Sequence, residues 1–248
     1  MKSGCFDKTK QGDTDAVPPS DWLNHFKDLL GNQHIKTNEE DSLIQFVNEN
    51  RNKFVSELDN PFTIDDVKIA ITSLKNNKAS SFDSVLNEML KCSAPVISKP
   101  LLGFFNTILE SNIYPKLWKN DILGPLHKSG PLDDPNNFRG ICVSSCIGKL
   151  FNTLLRQKLS TFCNKNKLIN KYQGSGKKQS RTADHLMVLR FIVDHFVKGG
   201  SKKVYACFYD LRKAFDTVNR PLLLYNLLVE TKLGANFWQF YKTFTQTT

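Results

Sequence analysis

An acid delivered by an apolar run constrains this chain more than any other feature. Residues 204–211 read Val-Tyr-Ala-Cys-Phe-Tyr-Asp-Leu, with Gly199-Gly200-Ser201 in front. A run so rich in aromatic and β-branched side chains predicts a buried strand. Asp210 stands at its C-terminal end, and turn-compatible residues lead to Asn219-Arg220-Pro221 ahead of Leu222, Leu223 and Leu224. Pro221 suits the first turn of a helix, where its missing N–H leaves nothing unsatisfied. A carboxylate at the end of a central strand is costly unless a cation lies beside it. A metal ion is the usual one. The competing reading of Asp210 is a strand-end acid facing solvent.

Charge points the same way. The 248 residues carry a net charge of +10, and residues 139–203 hold 14 Lys or Arg against two acids, Asp184 and Asp194. That leaves 20 basic and 22 acidic residues elsewhere, from totals of 34 and 24. All the excess positive charge therefore precedes the Asp210 run, which favours a polyanionic partner over a merely solvated face. An apolar content of 40% is enough for a real core. No run of about 18 apolar residues occurs, so no membrane partner is expected. The first ten residues lack an apolar signal core, and the six scattered cysteines show no zinc spacing. An intracellular chain, cytoplasmic or nuclear, with reduced thiols is expected.

Residues 1–19 are polar, end in Pro18-Pro19 and read as a disordered or linker segment. Residues 20–60 form a helical segment. Ser20 is a candidate N-cap for a helix through Trp22, Phe26, Leu29 and Leu30, stopped by Gly31. A second helical pattern runs from about Glu39 to Leu58. Residues 61–248 make the third part. Thr63 with Asp66 is a capping-box variant ahead of Ile64, Val67, Ala70, Ile71 and Leu74. Further helices are expected over Ala94–Asn112, Ser144–Phe162, the stretch with Leu186, Leu189, Val193, Phe196 and Val197 inward, Leu222–Leu233 and Phe237–Phe244. In the Ser144–Phe162 helix, Lys149, Arg156 and Lys158 should point outward.

Several motifs stand in a fixed order. They are Lys78-Ala79-Ser-Ser-Phe-Asp83-Ser84, Tyr114-Pro115-Lys-Leu-Trp118, a strand reaching Lys128, Phe138-Arg139-Gly-Ile141, Gln173-Gly-Ser-Gly with Thr182 and Asp184, and Phe208-Tyr-Asp210-Leu-Arg-Lys213-Ala-Phe215-Asp216. Together they resemble non-LTR (LINE-type) retrotransposon reverse transcriptases, over about residues 61–244. Some positions depart from the pattern. Ser80, Ser81 and Phe82 replace Pro-Gly-Pro, Ser84 and Ser175 each replace a Gly, and Gly176 replaces a Phe.

The resemblance implies an α+β right-hand polymerase fold, here fingers and a partial palm, mostly helical with a few short strands. It implies an RNA-directed DNA polymerase that uses Mg²⁺, an RNA template, a DNA primer and deoxynucleoside triphosphates. Asp210 inherits the role of catalytic metal ligand, and Phe215 that of screening the sugar 2′-position. Lys128 and Arg139 become the fingers cations that hold the incoming triphosphate, as paired cations on adjacent strands can. The alternative for that pair is two surface cations on a hairpin. Lys177, Lys178 and Arg181 suit template phosphates, with a solvated loop as the alternative. The family's second carboxylate comes from an Asp-Asp hairpin downstream of the Asp210 motif. Here the Asp-Asp pairs are Asp65-Asp66, at a helix start, and Asp133-Asp134, in a turn, and both precede Asp210. The chain therefore reads as a C-terminally truncated fragment, inactive by itself. The rival reading is a non-catalytic nucleic-acid-binding remnant or a decayed fragment without function.

Overall fold

In a computed structural model of the chain, the described residues are 16–31, 49, 55–176, 180–198, 203–211, 214–215, 218–219, 222–223, 226–227 and 231. Their elements run α1 (Pro19–Gly31), α2 (Ser56–Asp59), α3 (Ile64–Ser73), α4 (Asn87–Cys92), α5 (Ala94–Ser111), β1 (Ile122–His127), β2 (Phe138–Val143), α6 (Cys146–Lys165) and α7 (Thr182–Lys198). Single 3₁₀ turns lie at Lys116–Lys119 and Pro135–Asn137. The chain divides into two compact units, residues 1–162 with 215–248, and residues 163–214.

The first unit is built on local caps and one aromatic core. Asp66 N–H donates to Thr63 Oγ1 (3.2 Å) and Thr63 N–H donates to Asp66 Oδ2 (2.8 Å), a reciprocal capping box that starts α3. Val67, Ala70 and Ile71 then fall on the buried face. Just upstream, the Asn106 side chain holds both backbone groups of Phe62, accepting from its N–H (2.7 Å) and donating to its carbonyl (3.2 Å). That clamp ties α5 to the start of α3.

Phe151 of α6 is the hub of the core. Its ring lies 5.3 Å from Phe105 on α5, 5.9 Å from Phe62, 5.9 Å from Trp118 and 6.4 Å from Tyr114. Phe105 and Phe151 are fully buried. Aromatic pairs at these separations add roughly 0.5–1.5 kcal/mol each beyond the area they bury. Gly148 lets α6 approach this core, because a Cβ there would meet Trp118 at 3.2 Å.

Four readings of the sequence need correction. Ser20 is not the cap of α1: the Pro18 carbonyl accepts from Asp21 N–H (3.0 Å) and Trp22 N–H (3.2 Å), so the helix already includes Pro19. Pro in the first turn is favoured there because it has no N–H to satisfy. Lys158 does not point out. It is half-buried with its ammonium 5.0 Å from the Phe62 ring centroid, it donates to the Asn60 carbonyl, and burial pulls its pKa down. A long aliphatic stem covers apolar surface while its charged end finds oxygen.

The other two corrections concern the second unit. Leu186, Phe196 and Val197 are exposed on α7, with Met187 and Phe191 more so at 75% and 71%. The helix is present, but amphipathic spacing specifies a face without supplying a layer to cover it. Residues 203–211 form no strand. Tyr205, Phe208 and Tyr209 are 81–91% exposed, and β1 and β2 are the pair that make the described sheet. A strand needs a neighbour for its backbone groups, and no described segment pairs with this one. Most of the Glu39–Leu58 pattern, and all of Phe237–Phe244, lie outside the described residues.

Tyr114 makes the core sensitive to alkali. Burial pushes its phenol up to about 12, with an Asn152 hydrogen bond opposing and the Asp121 charge adding. A buried acid with a raised pKa keeps its proton longer in the folded state than in the unfolded one. Stability is therefore unaffected below about pH 10 and falls between about pH 10 and 12, by roughly 2–3 kcal/mol. Urea denaturation across that range should show the loss in the native chain and a smaller one in Tyr114→Phe. Equal losses in both would remove Tyr114 as the cause.

Candidate nucleic-acid interface

The β1–β2 hairpin positions Lys128 and Arg139. The strands are antiparallel, with Leu126 opposite Arg139 and His127 opposite Phe138. The ladder continues one step further, since Lys128 N–H donates to the Asn137 carbonyl (2.8 Å). Side chains alternate across a strand, so residues 126, 128, 137 and 139 share one face. Lys128 and Arg139 are thus diagonal cross-strand neighbours, about 7–8 Å apart at the backbone. Both are exposed.

The opposite face is covered. Trp22 of α1 packs edge-on to Phe138 at 4.8 Å and stacks with Phe26 at 5.9 Å, while His127 meets Phe138 at 5.0 Å. Phe26 lies over Gly140 so closely that a Cβ there would sit 2.8 Å from its ring. Helix α1 thereby packs on the back of the hairpin, while on the other face Lys128 and Arg139 are exposed near the tip and Val143 is buried at the base. The sequence marked Trp22 and Phe26 as helical apolar positions, but nothing in it named their partner.

The tip is stiffened by its own polar groups. Asp134 Oδ1 accepts from Asn136 N–H (2.9 Å), capping the 3₁₀ turn. Asn137 Nδ2 donates to the Pro131 carbonyl (2.9 Å), and His127 Nε2 lies 3.0 Å from the Gly130 carbonyl. Gly130 takes φ +91°, which an L side chain rarely adopts. Asp134 therefore works as a turn acid, matching the place of the Asp133-Asp134 pair in a turn.

The Lys78–Asp83 motif is tied to this hairpin by a bond that spans 62 residues. Ser145 Oγ donates to Asp83 Oδ2 (2.6 Å) and accepts from Gly148 N–H (3.4 Å) at the start of α6. Asp83 also holds its own turn, accepting from Val85 N–H (3.1 Å). Nearby, Asn77 N–H donates to Glu88 Oε1, and that bond is the largest of the influences holding the Glu88 carboxyl below its ordinary value. Ser84, which stands where the family has Gly, takes φ +55°. Ser84 thus holds a left-handed conformation that Gly adopts with less strain. No sequence signal pointed to the Asp83–Ser145 pairing, because a Ser at a strand–helix junction looks like an ordinary cap.

The remaining candidates are less assembled. Arg181 is exposed and paired with Asp184 (3.2 Å), whose other oxygen accepts from Arg181 N–H (3.0 Å) at the start of α7. A surface pair of this kind is weak and leaves Arg181 open to exchange for a phosphate. Lys177 and Lys178 lie outside the described residues. Phe215 is in a turn and 95% exposed. Asp210 is exposed on the 203–211 segment. Among the described residues no group of three His, Cys, Asp or Glu is placed to hold a metal ion. Asp210 with its carboxylate in solvent does not fit a Mg²⁺ centre, which takes near-octahedral oxygen ligation and sheds water reluctantly. No helix among the described residues is long and apolar enough to cross a membrane.

No protein-family model matches the chain. Curated relatives do. The RNA-directed DNA polymerase from mobile element jockey of Drosophila melanogaster is 29% identical over 166 residues, 66% of this chain and 18% of the relative. The probable RNA-directed DNA polymerase from transposon BS of the same species is 27% identical over 161 residues, 64% of this chain and 17% of the relative. The one from transposon X-element is 27% identical over 189 residues, 75% and 20%. The chain spans 17–20% of the length of these relatives.

Two outcomes test this geometry. Lys128→Ala and Arg139→Ala should each weaken binding of inorganic tripolyphosphate by about 10–150-fold in titration calorimetry, the range for one lost charge-assisted hydrogen bond. Unchanged affinity in both would leave them as ordinary surface cations. Ser84→Gly should raise stability by about 0.5–1 kcal/mol, since it relieves left-handed strain of roughly 1–2 kcal/mol at a smaller entropic cost. A loss on denaturant unfolding would mean that Ser84 is held by something other than backbone geometry.

Proposed function

We propose that this chain, a sequence relative of the RNA-directed DNA polymerases of non-LTR retrotransposons, is the fingers and partial palm of a reverse transcriptase domain with the right-hand polymerase fold. Its partners are an RNA template, a DNA primer and deoxynucleoside triphosphates. The observation that carries the reading is the hairpin face bearing Lys128 and Arg139, in a chain whose ordered motifs match those polymerases. Lys128 and Arg139 hold the triphosphate of the incoming nucleotide. Arg181, with Lys177 and Lys178, contacts template phosphates. Phe215 screens the nucleotide sugar, and Asp210, exposed as it stands, would face Mg²⁺ only once further carboxylates were brought beside it.

The described residues fit binding better than catalysis. A divalent ion in such a polymerase lowers the pKa of the primer hydroxyl and neutralises charge on the phosphates. Among the described residues no group of three His, Cys, Asp or Glu stands ready to hold a metal ion, so no step of nucleotide addition is assigned to these residues. A basic surface without the metal set also agrees with a non-catalytic nucleic-acid-binding remnant.

The 248-residue chain should therefore bind single-stranded RNA or DNA of any sequence at roughly micromolar affinity, weakening as salt rises because counterions are released. Exchanging Lys177, Lys178 and Arg181 for Ala should flatten the plot of log affinity against log salt by up to about 2, at roughly 0.7 per phosphate contact. The same chain should not extend a primer with Mg²⁺ or Mn²⁺. Salt-independent binding would overturn the nucleic-acid reading. Primer extension that disappears in Asp210→Asn would show that a complete metal site does assemble.

A further inference from the structure

The second unit holds a groove that the motifs leave unassigned. It lies where α6 ends, is open to solvent with a volume of about 530 Å³, and is lined by Cys163, Lys167, Ile169, Asn170, Lys171 and Tyr172 among others. That volume lies within the roughly 300–1,000 Å³ of small-ligand sites.

Backbone geometry builds the groove. Helix α6 closes with Lys167 N–H donating to the Asn164 carbonyl (3.2 Å) and Leu168 N–H donating to the Cys163 carbonyl (3.0 Å), with Lys167 at φ +52°. These are the two bonds of a Schellman motif, which satisfy the last helical carbonyls and turn the chain sharply. A second turn follows at once. Asn170 Oδ1 accepts from Tyr172 N–H (2.9 Å) and the Asn170 carbonyl accepts from Gln173 N–H (3.1 Å). The two turns project Tyr172 outward, 79% exposed, with the Lys171 ammonium 4.9 Å from its ring centroid.

An aromatic ring held out in water by a hydrogen-bonded turn is a poor use of apolar area unless something flat covers it. Here it stands beside Lys167 and Lys171, within a stretch, residues 139–183, that contains no Asp or Glu. We propose that this groove is a binding subsite for single-stranded nucleic acid. A base stacks on the free face of Tyr172, and Lys167 and Lys171 contact the flanking phosphates. A duplex keeps its bases stacked inside and cannot offer one to the ring, whereas stacking platforms beside cations are how proteins hold single strands without reading sequence. A free phosphate would use the lysines and leave the ring idle. The inference rests on the nucleic-acid reading above, and adds the place where a base is held.

The test is fluorescence anisotropy on the whole chain, with labelled short oligouridylate, oligothymidylate and a duplex as probes. Tyr172→Ala should weaken single-strand binding by roughly 5–150-fold, the range for one lost base–aromatic stack, and Tyr172→Trp should restore it. Duplex affinity should change by less than about twofold, since bases inside a duplex never reach the ring. Lys167→Ala with Lys171→Ala should flatten the salt slope by about 1.4, two contacts at roughly 0.7 each. A tighter uridylate complex assigns the strand as RNA and a tighter thymidylate complex as DNA, and either supports the subsite. Single-strand binding that survives Tyr172→Ala unchanged would overturn the subsite alone. Absence of binding by the native chain would overturn the subsite together with the nucleic-acid reading.

Discussion

The first unit depends on the packing of rings around Phe151. That side chain meets Phe62, Phe105, Tyr114 and Trp118, which come from separate stretches of chain. The consequence for the hairpin follows from connectivity. Strand β1 begins three residues after the 3₁₀ turn that carries Trp118, and α6, which carries Phe151, begins three residues after β2 ends. Both open ends of the hairpin are therefore held by one core. Two-stranded hairpins are marginal by themselves in water. This one is stabilised at its base by the ring cluster and along its back by Trp22, Phe26 and Gly140. Lys128 and Arg139 stay exposed near its tip.

Much of this was legible in the sequence wherever a local rule decides the outcome. Thr63 and Asp66 cap α3 as their spacing implies, because a capping box involves only neighbouring groups. Phe138-Arg139-Gly-Ile141 becomes β2, and the Asp133-Asp134 pair falls in the turn before it. Long-range pairings were not legible. The Asp83–Ser145 bond joins residues 62 apart, and Lys158 folds back over Phe62 although helical spacing put it outside. The misjudged stretch, residues 204–211, has every local mark of a strand. Local marks give extended backbone, but a strand exists only with a partner, and pairing is a property of the whole fold.

The described surface has an uneven character that fits its charge. Around the hairpin, cations stand on a rigid two-stranded support. In the second unit, aromatic and aliphatic side chains of α7 and of residues 205–211 remain in water. Exposed apolar area on this scale marks interaction surface or aggregation hazard in ordinary soluble domains. Asp210 lies within that exposed segment, which explains why the residue most conspicuous in the sequence has the least built surroundings. Local hairpin geometry brings Lys128 and Arg139 to one face, whereas a metal centre needs carboxylates brought together from distant strands.

The central claim is that α1 and the ring cluster present one hairpin face to a nucleotide's phosphates. The most direct test is amide NMR of the chain during titration with a deoxynucleoside triphosphate. The account predicts shifts concentrated at Gly124, Leu126, Lys128, Arg139 and Ile141, with Trp22 and Phe26 unmoved. Shifts centred on Trp22, Phe26 and Phe138, or spread evenly over the basic residues of the chain, would contradict it.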